Sequence, residues 1–187
     1  MRPTLWLVAL ALAGCEGGAH RRGEWQVIGD VSFGSPAGNF VLAGRGEDAP
    51  CVGGRLSGAA FVRDRTAVIV AGGYRHYEPD SGSVDAREFQ IGPRYYPPVE
   101  FQLGKVPVAP FVDGFGGVLH ASTAFPVDGT DTNLSAEFGV GLETILGEQA
   151  SLLVGYRFRH LSNGGGNEPN NPGYNDHQIY FGFGWRW

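Results

Sequence analysis

The sequence predicts an all-β fold, an eight-stranded antiparallel up-and-down barrel that crosses a bilayer with strands. Three observations predict it. Period-2 alternation of apolar and polar residues dominates the chain, and no segment carries a convincing amphipathic helical pattern. Glycine is frequent, at 31 of 187 residues, and aromatic residues make up 12%. Hydrophobic residues reach 42%, yet no apolar run attains the ~18 residues of a spanning helix.

The N-terminus stands apart from this pattern. Arg2 supplies a positive charge, Leu5 to Ala13 is a short apolar stretch, and small residues follow. That arrangement reads as a secretion signal over residues 1–15. Leu12-Ala13-Gly14-Cys15 also resembles a bacterial lipobox, in which Cys15 is acylated, so an ordinary cleaved signal and a lipid-anchored one both stay open. A short segment, residues 16–24, precedes the barrel, residues 25–187. Cys15 and Cys51 are the two cysteines. With Cys15 removed or acylated, Cys51 has no partner, and a disulfide framework is not expected. A net charge of -5 with 14 Lys+Arg argues against nucleic acid, whose phosphates need clustered cations.

Eight strands follow in order: Trp25–Gly34, Gly53–Val62, Thr66–Tyr77, Arg87–Tyr96, Pro107–Ala121, Leu134–Ile145, Ser151–Ser162 and Asn175–Trp187. Asn39–Arg45 competes for the place of the second. Pro107 and Pro110 weaken the start of the fifth, where proline is tolerated near an end or a bulge. Links near Arg63–Arg65, Pro97–Val106 and Leu146–Ala150 are comparatively short. Those over Ser35–Val52, Glu78–Ala86, Ser122–Asn133 and Asn163–Tyr174 are longer and polar. This alternation fits short periplasmic turns and longer outside loops, with both termini on the periplasmic side. A barrel of this size is filled by side chains, so no pore is expected.

The last strand is the strongest membrane signal. Ile179, Phe181, Phe183, Trp185 and Trp187 share one face, and Gln178, Tyr180, Gly182, Gly184 and Arg186 share the other. Large apolar groups outside and small or polar groups inside suit lipid around a tight interior, with the two tryptophans at an aromatic girdle. The preceding strand places Leu152, Val154, Tyr156 and Phe158 on one face, and His160 and Ser162 continue that parity. Residues two apart on a strand lie roughly 7 Å apart on the same side, so an imidazole there can act as base for a neighbouring hydroxyl. A polar pair on a lipid-facing wall is costly unless it sits at the interface and works there. Arg157 and Arg159 face inward on this register and need interior acids such as Glu137 or Glu143. His76 and Tyr77 read as strand-end surface groups. His120 reads as a rim or interior residue. His177 has outward parity and either borders a substrate or sits at the headgroup level.

From His160 to Asn175 the chain reads His-Leu-Ser-Asn-Gly-Gly-Gly-Asn-Glu-Pro-Asn-Asn-Pro-Gly-Tyr-Asn. This stretch resembles the outer-membrane lipid A 3-O-deacylases (the PagL type, related to acyloxyacyl hydrolases), whose signature runs His-x-Ser-Asn, a small residue and Gly, then Pro-Asn and Gly before the last strand. The tight match covers about Arg157 to Asn175. The resemblance implies an outer-membrane ester hydrolase that removes a fatty acyl chain from lipid A of lipopolysaccharide, with outer-membrane lipid around it, no metal and no cofactor. It implies Ser162 as nucleophile and His160 as its base. The family places a Glu to orient the histidine. Here Asn175 stands at that position, and Asp176 is the adjacent carboxylate, which alternation points inward. N–H groups near Gly165 and Asn170 would form the oxyanion hole, with Asn163 supporting the loop. The missing Glu also keeps open a non-catalytic structural or adhesive barrel. A soluble periplasmic β-domain tethered through Cys15 is a third reading. Whether the barrel pairs as a homodimer is not set by the sequence.

Overall fold

The computed structural model describes residues 20–37, 48–165 and 172–187. Nine strands are present: β1 (Trp25–Pro36), β2 (Cys51–Arg63), β3 (Thr66–Tyr77), β4 (Val84–Tyr95), β5 (Phe101–Leu103), β6 (Val106–Ala121), β7 (Thr132–Leu146), β8 (Ala150–Ser162) and β9 (Tyr174–Arg186). All neighbours pair antiparallel, in the order β4-β3-β2-β1-β9-β8-β7-β6-β5, and β4 also pairs with β6. That last pairing closes an eight-stranded barrel and removes the sheet edge. The three-residue β5 is an addition that sequence alternation did not predict. It forms a small hairpin with β6 through Gly104, whose φ is +68°, inside the link read as Pro97–Val106.

The boundaries differ most at the outer ends. β2 starts at Cys51 and β4 at Val84, earlier than Gly53 and Arg87, because cross-strand bonding continues past the last clear alternation (Cys51 pairs with Tyr77, and Tyr77 with Val84). The competing segment Asn39–Arg45 lies outside the described residues, as do the signal and Cys15. Tight turns at Asp64–Arg65 and Gly147–Gln149 lie at the end that also holds the start of β1 and the end of β9. The longer connections gather at the opposite end.

Every strand turns apolar residues outward. On β9, Ile179, Phe181 and Phe183 are 56%, 54% and 50% exposed, while Gln178 and Tyr180 are fully buried. Trp25, Trp185 and Trp187 are exposed at the end carrying the termini. A wall this apolar is far larger than the patch a soluble monomer tolerates, and lipid is the solvent it fits.

The lumen is filled in three layers. Near the termini lies an apolar layer that includes Ile28, Phe61, Ile69, Tyr96, Phe111 and Tyr180. Of the segment before the barrel, residues 20–24 are described, and His20 sits in this layer. It stacks on Tyr96 with ring centroids 3.7 Å apart and meets Glu143 at 3.1 Å. A belt of ion pairs occupies the middle. Arg55 and Arg157 both reach Asp30, Arg75 reaches Glu88 and Glu137, and Arg94 reaches Asp113. Arg159 pairs with Asp176 and Glu88. The expected partners of Arg157 and Arg159 are therefore corrected. Glu137 is taken by Arg55 and Arg75, and Glu143 by His20, Gln26 and Tyr96. Partnering across a lumen depends on how the strands stagger, which parity alone does not specify. Gly155 makes room inside: a Cβ there would stand 2.5 Å from the Tyr180 ring, over which Arg157 lies at 3.5 Å.

The third layer caps the outer end. Tyr77 is fully buried against Phe125 and Tyr174, at centroid distances of 4.4 and 5.7 Å. This corrects its reading as a surface group. Phe125 comes from the loop after β6, and Asn133 Nδ2 donates to its carbonyl at 2.7 Å. The loop folds into the mouth and shields the Tyr77 ring, an arrangement with no signature in the β3 sequence.

Candidate active site

His160 and Ser162 stand at the outer end of β8, on the parity of Leu152, Val154 and Tyr156, all three exposed on the wall. Both are half-buried. The strand register supplies their neighbours. His160 faces Ala136 on β7 and Asn175 on β9, and Ser162 faces Leu134 on β7. Asn175 Oδ1 lies 2.7 Å from His160 Nδ1. An amide oxygen can only accept, so Nδ1 carries a proton in this contact, and in the neutral ring Nε2 is the nitrogen with the lone pair. That tautomer is the one a general base needs. Asn175 is only 2% exposed, and its backbone carbonyl also accepts from Ala37 N–H at 2.8 Å, so the imidazole is held by a packed partner.

Asp176 points the other way. Its carboxylate is fully buried in the lumen, paired with Arg159 and receiving Gln178 Nε2 at 2.8 Å. It is therefore spent on the interior belt and is not brought to His160.

The loop after β8 begins with Gly164 and Gly165, both left-handed at φ +72° and +71°, a conformation that strains any residue with a Cβ. A Cβ on Gly164 would lie 3.0 Å from Leu134 Cδ1. Leu134 is the register partner of Ser162, so the loop backbone turns back over the serine's own rung. Asn163 Oδ1 accepts from Gly165 N–H at 3.0 Å, which braces the turn. The same bond occupies Gly165 N–H, and that donor can turn to a substrate only by sharing or exchanging it. Asn170 lies outside the described residues.

One neighbouring pair was not legible as such in the sequence. Tyr156 Oη and His177 Nδ1 lie 2.5 Å apart on the same outer face, His177 one rung and Tyr156 two rungs deeper than His160. His177 also packs on Phe158, with ring centroids at 5.8 Å. Outward parity of two polar-tipped residues on adjacent strands was the available signal. No group of three or more His, Cys, Asp or Glu suited to a metal ion occurs among the described residues.

A sequence profile of the family described as Lipid A 3-O-deacylase (PagL) matches residues 62–184, a span that takes in β3 to β9 with His160, Ser162 and Asn175. No curated protein sequence matches the chain. Among solved structures, the outer membrane enzyme PagL is similar at 20% identity and TM-score 0.59, over 82% of this chain and 97% of that one. Neisserial surface protein A is similar at 16% identity and TM-score 0.56, over 88% and 98%. Outer membrane protein OprG from Pseudomonas aeruginosa follows at 12% identity and TM-score 0.52, over 90% and 98%. At these identities the structural likeness is one of fold.

Proposed function

The chain is an outer-membrane β-barrel of the lipid A 3-O-deacylase (PagL) family, and on that premise we propose that it hydrolyses a fatty acyl ester of lipid A with Ser162 as nucleophile and His160 as general base. One observation carries the reading: His160, held by Asn175 in the tautomer of a base, lies two residues from a serine on the lipid-facing wall at the outer rim. Lipid A tails occupy the outer leaflet. A site on the outside of the barrel meets their ester bonds at the height where they lie, and no acyl chain needs to enter water.

The chemistry follows from the residues. Ser162 Oγ attacks the ester carbonyl while His160 Nε2 takes the hydroxyl proton. Asn175 Oδ1 keeps the ring oriented as it becomes imidazolium. The Gly165 N–H, shared between Asn163 Oδ1 and the substrate, meets the developing oxyanion. The tetrahedral adduct collapses, the sugar oxygen leaves and takes the proton from His160, and the acyl group stays on Ser162. A water molecule, deprotonated by His160, then attacks the acyl-serine. The fatty acid is released and Ser162 regains its proton. Asn175 supplies no negative charge to the imidazolium, so the histidine works as a dyad with an orienting amide.

The same uncharged amide favours a second reading, a structural or adhesive barrel without catalysis. Lipid A from cells expressing the wild type or Ser162→Ala separates the two. The expected result is loss of one acyl mass with the wild type and intact lipid A with the variant, both proteins being folded in the outer membrane. Identical lipid A from both strains sinks the serine assignment.

A further inference from the structure

Round the barrel from this site, the outer rim carries a second polar feature that the hydrolysis does not use. Apart from Arg63, the last residue of β2 at the opposite end, Arg87 is the one Lys or Arg among the outward-facing residues of the barrel strands. It is exposed on β4. The register sets it in a row with Tyr74 on β3, His120 on β6 and Thr132 on β7. Thr132 stands two residues beyond Leu134, the partner of Ser162, so this row and the candidate active site belong to the same rim. They are separated by three strand steps, β4 to β6 to β7 to β8.

The neighbours of Arg87 are already committed. Asp85 lies 2.7 Å from His76 Nδ1. Thr132 Oγ1 donates to Asp131 at 3.1 Å and lies 3.0 Å from His120 Nδ1. Among the described residues no carboxylate comes within 4 Å of the Arg87 guanidinium. Tyr74, Asp85, Arg87, His120 and Ser122 line an open cleft of about 420 Å³. Below it the wall is apolar, with Phe89, Ile91 and Val118 exposed. A guanidinium on a lipid-facing wall is costly unless it meets an anion at headgroup level, and it pairs with phosphate in a fork geometry.

We propose that Arg87, flanked by Tyr74 and His120, binds a phosphate of an outer-leaflet lipid whose acyl chains lie along Phe89, Ile91 and Val118. This second lipid site is distinct from the Ser162 site. It rests on the outer-membrane placement of the barrel and not on catalysis by Ser162. Its occupant is the phosphorylated lipid of that leaflet, which would give the barrel a fixed lipid neighbour away from the wall where esters are cut.

The test uses full-length protein carrying ¹³C at arginine Cζ, folded into vesicles of phosphate-free galactolipid. Lipid A is the sole phosphorus source in one arm and inorganic phosphate in the other, and ¹³C–³¹P dipolar dephasing reads the contact. The expected result is dephasing with lipid A that falls by one arginine's share in Arg87→Gln and is absent with inorganic phosphate. Equal dephasing in wild type and variant overturns the site. Dephasing with inorganic phosphate alone shows a soluble anion site and overturns the lipid assignment. If Arg87→Gln does not fold, Arg87→Lys keeps the charge and removes the labelled carbon, and the same difference must appear.

Discussion

Two cross-strand pairs lie side by side where β8 meets β9, and they face opposite worlds. His160 and Asn175 point out of the barrel, with an amide oxygen on an imidazole at 2.7 Å. Arg159 and Asp176 point into it, as a fully buried ion pair. One residue of strand separates a neutral pair at the lipid interface from a charged pair in the lumen. The difference shows how the barrel assigns its carboxylates. The Asp176 carboxylate inside is matched by a guanidinium, whereas one at position 175 would face lipid with only a histidine to compensate it. The amide gives up charge stabilisation of an imidazolium but keeps the hydrogen bond that selects the tautomer.

Substitutions at this junction break or sharpen the contrast. The largest effect is expected from His160→Ala. Lipid A deacylation, read by mass spectrometry, should fall by roughly 10²–10⁴, while the urea midpoint of the barrel in vesicles stays where it was. A variant that loses stability in proportion to activity would make His160 a packing residue. Next is Arg159→Met, which leaves Asp176 and Glu88 short of a buried cation. A loss of about 3–5 kcal/mol is expected, measured as urea unfolding followed by the fluorescence of Trp25, Trp185 and Trp187. An unchanged midpoint would show that the inner pair contributes nothing.

Asn175→Asp sharpens the comparison directly, because it places a charge on the outer pair. A charge-assisted bond is roughly twice as strong as a neutral one, so deacylation should rise by up to about tenfold, and Asn175→Ala should lower it by a similar factor. A slower Asn175→Asp enzyme would mean that the charge costs more at the lipid interface than it returns to the imidazolium. The smallest effect is expected at Cys51, whose Sγ lies 3.6 Å from Asp176 Oδ2 and 3.8 Å from Arg159 Nη2. Cys51→Ala should change the unfolding free energy by less than about 1 kcal/mol; a larger loss would place the thiol within the inner network.

Parity made much of this readable in advance. The outward face of Ile179, Phe181 and Phe183, the outward turn of His160 and Ser162, and the inward turn of Arg157, Arg159 and Asp176 all follow from alternation along single strands. The sequence reading failed where a residue's environment is supplied by a distant part of the chain. Tyr77 shares the inward parity of Arg75, but its place at the end of β3 read as surface, and Phe125 and Tyr174 bury it. Phe101–Leu103 is too short to register as a strand without its partner in β6. The loop donors proposed from the family signature are only partly visible, since Gly165 N–H is held by Asn163 and Asn170 lies outside the described residues.

Alternation, glycine and aromatic content, and the spacing of histidine, serine and asparagine are local properties. The sequence therefore determined on its own that the chain forms a lipid-facing barrel and which side of the wall most residues of its eight long strands occupy. Only the tertiary structure decided which charges meet across the lumen, that Asn175 and not Asp176 reaches His160, and that Tyr74, Arg87 and His120 form one row at the rim. The physical reason is stagger. Side-chain direction is set within each strand, but the shear between strands chooses neighbours among residues as far apart in the chain as Asp30 and Arg157.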